Sequence, residues 1–366
     1  MSESDQKFMK EALRQAKKAL GRTSPNPAVG AVIVKGERLL ARGYHRRAGM
    51  PHAEIEALNT LGGMATGGTL YVTLEPCNHY GKTPPCTEAI LRSGLKRVVV
   101  GMEDPNPGVA GGGCDFLREN GIDVKTGVLE AQCRALNEDF IKFVTTKRPF
   151  VLLKSALTID GWTATSNGDS KWVTNEKSRR FVHRLRSRVD AIMVGIGTVI
   201  ADNPSLDTRL LRRRGTNPLR IIVDTHLRTP RNAQVMTLRS GTTLLAVGPQ
   251  VKTAERDVFE KRGVSLLNCP TKAGKIDLHA LMGILGKLNV MSLLVEGGAS
   301  ITGSMLRERL VDKFYVFIAP KILGGDDGVP MATGLGSQRM DECLRLRNVR
   351  MRRFGDDILL VGYPRY

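Results

Sequence analysis

A histidine, a glutamate and two cysteines occur at a spacing that suits a catalytic metal centre. His52 and Glu54 are separated by one residue, Cys77 follows a proline, and Cys86 lies further along the chain. One imidazole and two thiolates form a ligand set that zinc prefers, and three protein ligands leave its fourth position open for water. Glu54 can then carry protons without binding the metal. The pattern predicts zinc-dependent hydrolytic deamination of an amino-substituted heterocycle, with His52, Cys77 and Cys86 as ligands and Glu54 as the proton shuttle.

The spacing of the two cysteines differs from the usual signature of zinc deaminases. That signature ends in Pro-Cys-x-x-Cys, whereas eight residues separate Cys77 from Cys86 here. The inserted loop contains His79 and Lys82, for which two interpretations stay open: a solvated loop, or contacts to a substrate phosphate. Upstream, Asn26 precedes a proline, which indicates a turn and also places an amide where it can hold a polar edge of the substrate.

Helices and strands must bring these residues together. Apolar periodicity predicts helices over residues 5–20 and 52–61, a hairpin of strands 31–34 and 39–41, strands over 69–74 and 96–100, and a helix that starts at Cys86. His52 would open one helix, and Cys77 would lie in a loop between a strand and a helix. Two ligands at the positive ends of helix dipoles suit an anionic nucleophile. The alternation predicts a sheet with helices on both faces.

A second α/β domain is predicted after the break near residues 145–149. Its strands are predicted over residues 150–156, 191–195, 219–224, 243–247, 292–296 and 314–318. Residues 295–304 are typical of a strand, a glycine-rich turn and a helix, whose free N–H groups can bind phosphate. The G-x-G-x-x-G spacing of a Rossmann domain is missing from this turn. Residues 157–164 are typical of a hairpin turn with flanking strands.

The composition is that of a globular protein large enough for two domains. The 366 residues are 41% hydrophobic and 25% charged. The amino terminus lacks the apolar stretch of a secretory signal, and the apolar runs are too short for a membrane helix. Six cysteines are too few for a disulfide scaffold. We therefore expect a cytoplasmic protein with reduced cysteines and no membrane partner.

The formal net charge of +19 raises the question of an anionic partner. Much of this charge comes from arginine clusters within residues 209–214 and 345–353. Such clusters are commonly solvated surface, but they can also attract small phosphorylated ligands or nucleic acid. Aromatic residues are only 5% of the chain, so stacking platforms for bases are not indicated. We favour the solvated and small-anion interpretations and expect no nucleic-acid partner.

Taken together, these motifs resemble the bifunctional deaminase–reductase family of bacterial riboflavin biosynthesis. The resemblance rests on Asn26-Pro27, His52-Ala53-Glu54, Glu75-Pro76-Cys77, Gly81 to Cys86, Asp104 to Pro107, Leu157 to Ala164, Ala201 to Pro204, and Glu296 to Gly298. It implies an α/β protein with a cytidine-deaminase-like three-layer domain over residues 1–146 and a dihydrofolate-reductase-like domain over residues 150–366.

The family resemblance also implies two reactions on one small phosphorylated pyrimidine. The first domain would deaminate 2,5-diamino-6-ribosylamino-4(3H)-pyrimidinone 5′-phosphate, using one zinc ion per chain. The second would use NADPH to reduce the ribosyl group to ribityl, giving 5-amino-6-ribitylamino-uracil 5′-phosphate. A homo-oligomer is expected.

Site residues in the second domain are likewise implied by the resemblance. The implied NADPH contacts are Ala156, Trp172, Thr198, Asp202, Thr225, Gly298, Ala299, Ser300, Ile301, Thr302, Gly303 and Ser304. The implied substrate contacts are Ser170, Arg186, Leu206, Arg209 and Glu296. The two arginines suit a phosphate, because a guanidinium can bind it through two hydrogen bonds.

Two alternative functions fit the sequence less well. A nucleic-acid-editing deaminase would explain the positive charge, but the long cysteine gap and the reductase-like second half argue against it. A binding protein with structural zinc would need four protein ligands, and only His79 is near enough to be a fourth. Glu54 argues against that alternative, because a closed structural site has no use for an adjacent base.

Overall fold

The computed structural model describes residues 2–81, 84–108, 112–210, 216–237 and 241–366. The chain divides into two compact units, Met1–Lys147 and Arg148–Tyr366. Each unit has its own hydrophobic core. In the described part of the chain, every helix is too short or too polar to cross a membrane.

The first unit is built on a mixed sheet with the order β2-β1-β3-β4-β5, in which β1 runs antiparallel to β2 and β3, and the other pairs are parallel. Its described strands are β1 (Gly30–Lys35), β2 (Arg38–Tyr44), β3 (Thr69–Val72), β4 (Arg97–Val100) and β5 (Asp123–Lys125). Its described helices are α1 (Glu3–Ala16), α2 (Ala53–Asn59), α3 (Cys86–Arg92), α4 (Gly113–Glu119), α5 (Glu130–Leu136) and α6 (Glu138–Thr146).

Two glycines allow helices to pack closely on opposite faces of this sheet. A Cβ atom at Gly30 would lie 2.2 Å from the Ala12 carbonyl of α1, and one at Gly43 would lie 2.1 Å from the Ala53 carbonyl of α2. Gly43 pairs with Ala31, the residue after Gly30. Because neighbouring residues of a strand face opposite sides, α1 and α2 cover opposite faces. The predicted sheet with helices on both faces is confirmed.

The second unit contains a large mixed sheet with the order β11-β10-β9-β8-β14-β6-β15-β18-β17. The pairs from β11 to β15 are parallel, and β18 and β17 add antiparallel at one edge. The described strands are β6 (Phe150–Leu157), β7 (Trp162–Ala164), β8 (Ala191–Gly195), β9 (Leu219–Val223), β10 (Thr243–Val247), β11 (Ser265–Asn268), β12 (Thr271–Lys272), β13 (Lys275–Ile276), β14 (Ser292–Glu296), β15 (Lys313–Ile318), β16 (Val329–Pro330), β17 (Arg345–Phe354) and β18 (Asp357–Arg365). The described helices are α7 (Glu176–Arg186), α8 (Ile196–Asp202), α9 (Gln234–Thr237), α10 (Thr253–Glu260), α11 (Leu278–Lys287) and α12 (Ala299–Arg307).

Apolar side chains cover both faces of this larger sheet. Along β8, Ala191 and Met193 enter one hydrophobic cluster, and Ile192 and Val194 enter another. Strands that are buried on both sides in this way are characteristic of parallel α/β sheets. The predicted second α/β domain is confirmed.

The structure corrects several local predictions. The first helix covers residues 3–16 rather than 5–20, and the strand predicted over residues 69–74 ends at Val72. Residues 157–164 contain the predicted turn between two strands, because the Thr158 N–H donates to the Trp162 carbonyl at 2.9 Å and the Gly161 N–H donates to the Thr158 carbonyl at 3.1 Å. The ladder partner of β7, however, is the distant β16. The basic run 345–353 lies in β17, an edge strand that the apolar pattern did not predict.

Candidate active sites

Three elements of the first unit bring the predicted metal ligands together. His52 is the residue immediately before α2, Cys86 is the first residue of α3, and Cys77 lies in the loop that follows β3. The possible ligand atoms of these three residues all lie within 4.8 Å of one another. His52 Nδ1 is 3.2 Å from Cys86 Sγ and 3.4 Å from Cys77 Sγ. The sequence therefore identified a cluster that the fold assembles from residues up to 34 positions apart.

The donor set fits a zinc ion with an open coordination position. One nitrogen and two sulfur atoms converge, and the described residues supply no fourth His, Cys, Asp or Glu to this cluster. His79, the candidate fourth ligand, is exposed in the loop and is absent from the cluster. Lys82 lies outside the described residues. A three-ligand arrangement is that of catalytic rather than structural zinc sites.

Glu54 is buried beside the ligand cluster. Its Oε2 atom has no hydrogen-bond partner among the residues that the structure describes, which is unusual for a buried carboxylate. Burial raises the pKa of Glu54 to about 6, although the nearby His52 opposes this effect. An unsatisfied acceptor at this depth fits a group that bonds to water or to a ligand held against the cluster.

The two thiols differ in their electrostatic environments. The hydrogen bond from the Cys86 thiol, with a further one from the His52 ring, lowers the pKa of Cys77 below that of an ordinary thiol. The hydrogen bond to Cys77 raises the pKa of Cys86, and burial adds to that effect. The two thiols of the cluster therefore differ in how easily each loses its proton.

A second histidine near the cluster was missed by the sequence analysis. His45 is buried just after β2, and its Nδ1 lies 3.1 Å from the Pro51 carbonyl. Because a carbonyl can only accept, Nδ1 carries the proton, and Nε2 accepts from the Asn26 amide at 3.1 Å. The His45 ring also lies edge-on to His52, with centroids 5.4 Å apart. His45 thus holds Asn26 near the ligand cluster. Sequence reasoning could not identify His45, because it is a lone histidine outside any motif.

Glu75 connects the cysteine loop to the next part of the unit. One carboxylate oxygen accepts from the Asp104 backbone N–H at 3.0 Å, and the other accepts from the Cys114 N–H at 2.9 Å. Since Glu75 stands two residues before Cys77, these bonds fix the course of the loop that carries this ligand.

A cavity of about 1240 Å³ lies at the carboxyl ends of the parallel strands in the second unit. This is the edge where open α/β sheets bind ligands. The residues predicted for NADPH that line it are Ala156, Trp172, Thr198, Asp202, Thr225, Gly298, Ala299, Ser300, Ile301, Thr302 and Ser304, and those predicted for the substrate are Ser170, Arg186, Leu206, Arg209 and Glu296. Gly303 is the exception: it faces the Thr333 carbonyl and does not line the cavity.

A buried charge cluster forms part of the cavity wall. Arg186 Nε and Nη2 donate to the two Glu296 oxygens at 2.7 and 3.1 Å, and Nη1 donates to the Asp207 carbonyl at 3.0 Å. Lys154, which the sequence analysis did not single out, lies 3.8 Å from the same carboxylate. Burial would raise the pKa of Glu296, but Arg186 and Lys154 outweigh burial and lower it. Arg186 is therefore an anchor for Glu296 as well as a predicted phosphate ligand.

Other predicted contacts also line the cavity. Ser170 Oγ lies 3.5 Å from an Asp202 oxygen, and the exposed Trp172 ring is stacked by the Arg179 guanidinium at 4.4 Å. Arg209 bonds to Asp207 at 3.0 Å and to Ser205. Arg212, Arg213 and Arg214 of the same basic run lie outside the described residues.

Comparisons with known proteins agree with this pair of sites. The pattern described as the cytidine and deoxycytidylate deaminase zinc-binding region matches residues 2–102, and the RibD C-terminal domain matches residues 149–360. The chain is thus a zinc-type pyrimidine deaminase joined to a reductase domain.

Full-length relatives make the assignment more specific. The riboflavin biosynthesis protein RibD of Aquifex aeolicus is 43% identical over 100% of this chain and 99% of its own, and that of Escherichia coli K12 is 38% identical over 97% and 98%. Among solved structures, Acinetobacter baumannii RibD superposes with a TM-score of 0.89 at 36% identity, covering 99% of both chains. The diaminohydroxyphosphoribosylaminopyrimidine deaminase/5-amino-6-(5-phosphoribosylamino)uracil reductase of Thermotoga maritima gives 0.86 at 37% identity, also over 99% of both.

The chain belongs to the RibD family of bifunctional deaminase–reductases in riboflavin biosynthesis. The predicted fold class and the two predicted activities are confirmed. Zinc in the deaminase half and NADPH in the reductase half, the predicted cofactors, are those of this family.

Proposed function

We propose that the two sites act in sequence on one phosphorylated pyrimidine. Residues 1–146 would deaminate 2,5-diamino-6-ribosylamino-4(3H)-pyrimidinone 5′-phosphate, and residues 150–366 would then reduce the ribosyl group to ribityl. The observation that carries the first step is the convergence of His52, Cys77 and Cys86 beside the unsatisfied Glu54 carboxylate. The second step is supported by the cavity at the carboxyl edge of the parallel sheet.

In the deaminase site, His52, Cys77 and Cys86 hold the metal, and Glu54 moves protons. Zinc supplies Lewis acidity there, which makes water a nucleophile at neutral pH. Glu54 accepts a proton from the attacking water and delivers it to the ring nitrogen; a later proton transfer lets the amino group leave as ammonia. Water adds at the carbon that carries the amine, so the products are a ring carbonyl and ammonia. Asn26, fixed by His45, is positioned to orient the ring.

In the reductase site, the cavity wall binds and orients both ligands. NADPH supplies the hydride that reduces the opened ribose. The N–H groups at the start of α12, around Gly298 to Ser300, and the Thr198 hydroxyl would bind its phosphates, since both line the cavity. Glu296, held by Arg186, presents a fixed carboxylate to the substrate hydroxyl groups. Arg209, an exposed residue that lines the cavity, would bind the substrate phosphate.

We also propose a cytoplasmic location and a homo-oligomeric state. The free thiols of the six cysteines are consistent with a reducing compartment. Exposed apolar side chains at Leu335, Met340 and Met351 are consistent with a subunit contact.

One assay tests the two steps together. The full chain is given the diaminopyrimidinone ribosyl phosphate and NADPH, and ammonia release and NADPH oxidation are recorded in parallel. We expect ammonia to appear first and NADPH oxidation to follow with equal final amounts. Ammonia release without NADPH oxidation would contradict the reductase assignment. If neither ammonia release nor NADPH oxidation is observed, both assignments are wrong.

A further inference from the structure

The strand order of the large sheet orders the predicted cofactor contacts along the cavity. This argument rests on the proposed reductase function. Ala156 belongs to β6, the turn at Gly298 follows β14, Thr198 follows β8, and Thr225 follows β9. These strands are consecutive neighbours in the sheet, so the contacts extend over roughly 14 Å at the usual strand spacing. A dinucleotide bound to all of them lies across the sheet.

The two ends of this cofactor path can be told apart. The predicted substrate residues Glu296 and Arg186 lie at the β14 and β6 side, where Lys154 is also found. The nicotinamide must be next to the substrate for hydride transfer. The adenosine half therefore lies at the other end, beyond β8, at the carboxyl end of β9.

An aspartate at this end is turned away from the cavity. In dinucleotide-binding folds, an acidic residue that bonds to the ribose 2′-hydroxyl favours NAD, and a nearby cation accommodates the 2′-phosphate of NADP. Asp224 directly follows β9, as such an acid would. It is fully buried, however, accepts from the Thr229 N–H and hydroxyl at 2.7 Å each, and does not line the cavity.

Two cationic side chains line the cavity at this end, where an NAD-specific site would have an acidic residue for the ribose 2′-hydroxyl. Arg228 and Lys275 both line it, and both are exposed. Thr225 joins their two segments, because its hydroxyl accepts from the N–H of Ile276, the residue after Lys275, at 3.3 Å. Within the described residues, neither cation forms a salt bridge.

Acidic side chains elsewhere in the cavity do not neutralise this end. Within the described part of the chain, the acids that line the cavity are Asp202 and Glu296. Glu296 is bound to Arg186, and Asp202 accepts from Ser170. The β9 end therefore presents net positive charge to a ligand.

We propose that Arg228 and Lys275 bind the 2′-phosphate of NADPH and thereby set the preference of the reductase site for NADPH over NADH. Thr225 holds the two segments together and offers a hydroxyl to the same ribose. The orientation of Asp224 also favours NADPH. Because its side chain points away, no carboxylate of the described cavity wall at the β9 end would repel the 2′-phosphate.

A binding measurement tests the proposal without turnover. Adenosine 2′,5′-bisphosphate and 5′-AMP are titrated calorimetrically into the full chain, since they differ only in the 2′-phosphate. We expect the bisphosphate to bind more tightly to the wild type. Arg228→Gln and Lys275→Gln should each weaken its binding by about 10- to 100-fold, as expected for loss of a charged hydrogen bond, and leave 5′-AMP binding unchanged.

Matched controls separate local contact from net charge. Arg231→Gln and Lys272→Gln each remove one positive charge within three residues of the proposed ligands, at exposed positions that do not line the cavity. Both should bind the bisphosphate like the wild type. If the controls weaken binding as much as Arg228→Gln and Lys275→Gln, or if the wild type binds both probes equally, the proposal is wrong.

Reductase kinetics distinguish this proposal from the function on which it rests. With deaminated substrate, Arg228→Gln and Lys275→Gln should lower kcat/KM for NADPH by the same factor as the loss in binding, with kcat/KM for NADH unchanged. Equal losses with both cofactors would reject the role in selecting NADPH. If the wild type oxidises neither cofactor, the reductase assignment itself fails, while the binding result still decides the 2′-phosphate site.

Discussion

At Glu54, a buried carboxylate keeps one oxygen without a hydrogen-bond partner among the residues that the structure describes. Such an acceptor is costly in a folded protein unless function requires it. The adjacent His52 opens α2, and Glu54 is the second residue of that helix. The short H-x-E spacing therefore puts one side chain on the metal and the other beside it.

We predict that Glu54→Gln removes deamination and leaves metal binding intact. Glutamine preserves the volume but cannot accept and return a proton, so ammonia release should fall by about 10²- to 10⁴-fold. Zinc content, measured by atomic emission, should stay at one ion per chain. Glu56→Gln is the control, since Glu56 lies in the same helix but pairs outward with Arg46 at 3.0 Å. Near-normal ammonia release by Glu54→Gln would contradict the assigned role.

At the scale of elements, one buried acid joins α1 to three strands of the sheet. Asp5 bonds to Arg97 at 2.9 Å, to Lys125 at 2.8 Å and to the Tyr71 hydroxyl at 3.0 Å, which ties the helix to β4, β5 and β3. Burial alone would raise the pKa of Asp5. The hydrogen bonds from these three partners outweigh burial and hold the pKa well below its usual range.

We predict that Asp5→Asn destabilises the first unit in a pH-dependent way. At pH 7 the loss should be about 2–3 kcal/mol, because charge-assisted hydrogen bonds at a buried site are lost. Since the folded-state pKa is depressed, the contribution of Asp5 is complete above its unfolded pKa of about 3.9 and declines as pH falls below it. Wild type and variant should therefore converge in acid.

Hydrogen exchange of the α1 and β3 amides measures this effect. Both tryptophans, Trp162 and Trp172, lie in the second unit, so intrinsic fluorescence would not report on the first. Asp123→Asn is the control: Asp123 also pairs with Arg97, but its side chain is 70% exposed, so we expect a loss below about 1 kcal/mol. A loss at Asp5→Asn that did not change with pH would argue against the charge as its cause.

The basic edge strand β17 shows another consequence of element position. Arg345, Arg347, Arg350, Arg352 and Arg353 are all exposed along it. Charged side chains on an edge strand discourage pairing with other strands. Arg352 also stacks 4.8 Å from the Phe354 ring. In the single chain that the structure describes, this part of the positive charge lies on an exposed edge strand.

At the scale of the whole molecule, the two candidate sites belong to separate compact units. All the candidate zinc ligands lie within residues 1–147, and the described residues that line the reductase cavity lie within 148–366. Each unit also has its own core, so removal of zinc from the first unit should affect deamination and leave reduction unchanged.

We predict that zinc removal separates the two activities. Treatment with a chelator should abolish ammonia release, while NADPH oxidation with the deaminated ribosylamino-uracil phosphate continues at its original rate. Adding zinc back should restore ammonia release, which controls for irreversible damage. Parallel loss of both activities on chelation would show that the reductase half depends on the metal, contrary to this expectation.

The chemistry of the deaminase site and the family were predictable from the amino-acid sequence. His52, Glu54, Cys77 and Cys86 lie at helix starts and in one loop, so short-range spacing and local helix signals were enough to bring them into one hypothesis. The eight-residue gap between the cysteines indicated the family, and this gap can be read from the sequence without any tertiary information. Parallel strands of the second unit were also predictable, since burial on both faces makes them continuous apolar runs.

Which polar groups face one another was visible only in the folded chain. Three hydrogen-bonded pairs depend on side-chain directions at the ends of helices and strands. They are His45 with Asn26, Arg186 with Glu296, and Asp224 with Thr229. The pairing of β7 with β16 joins residues more than 160 positions apart. The spacing of residues along the chain shows which side chains could form hydrogen bonds. Which of them become partners depends on the low-dielectric interior, and that interior forms only when the strands pack together.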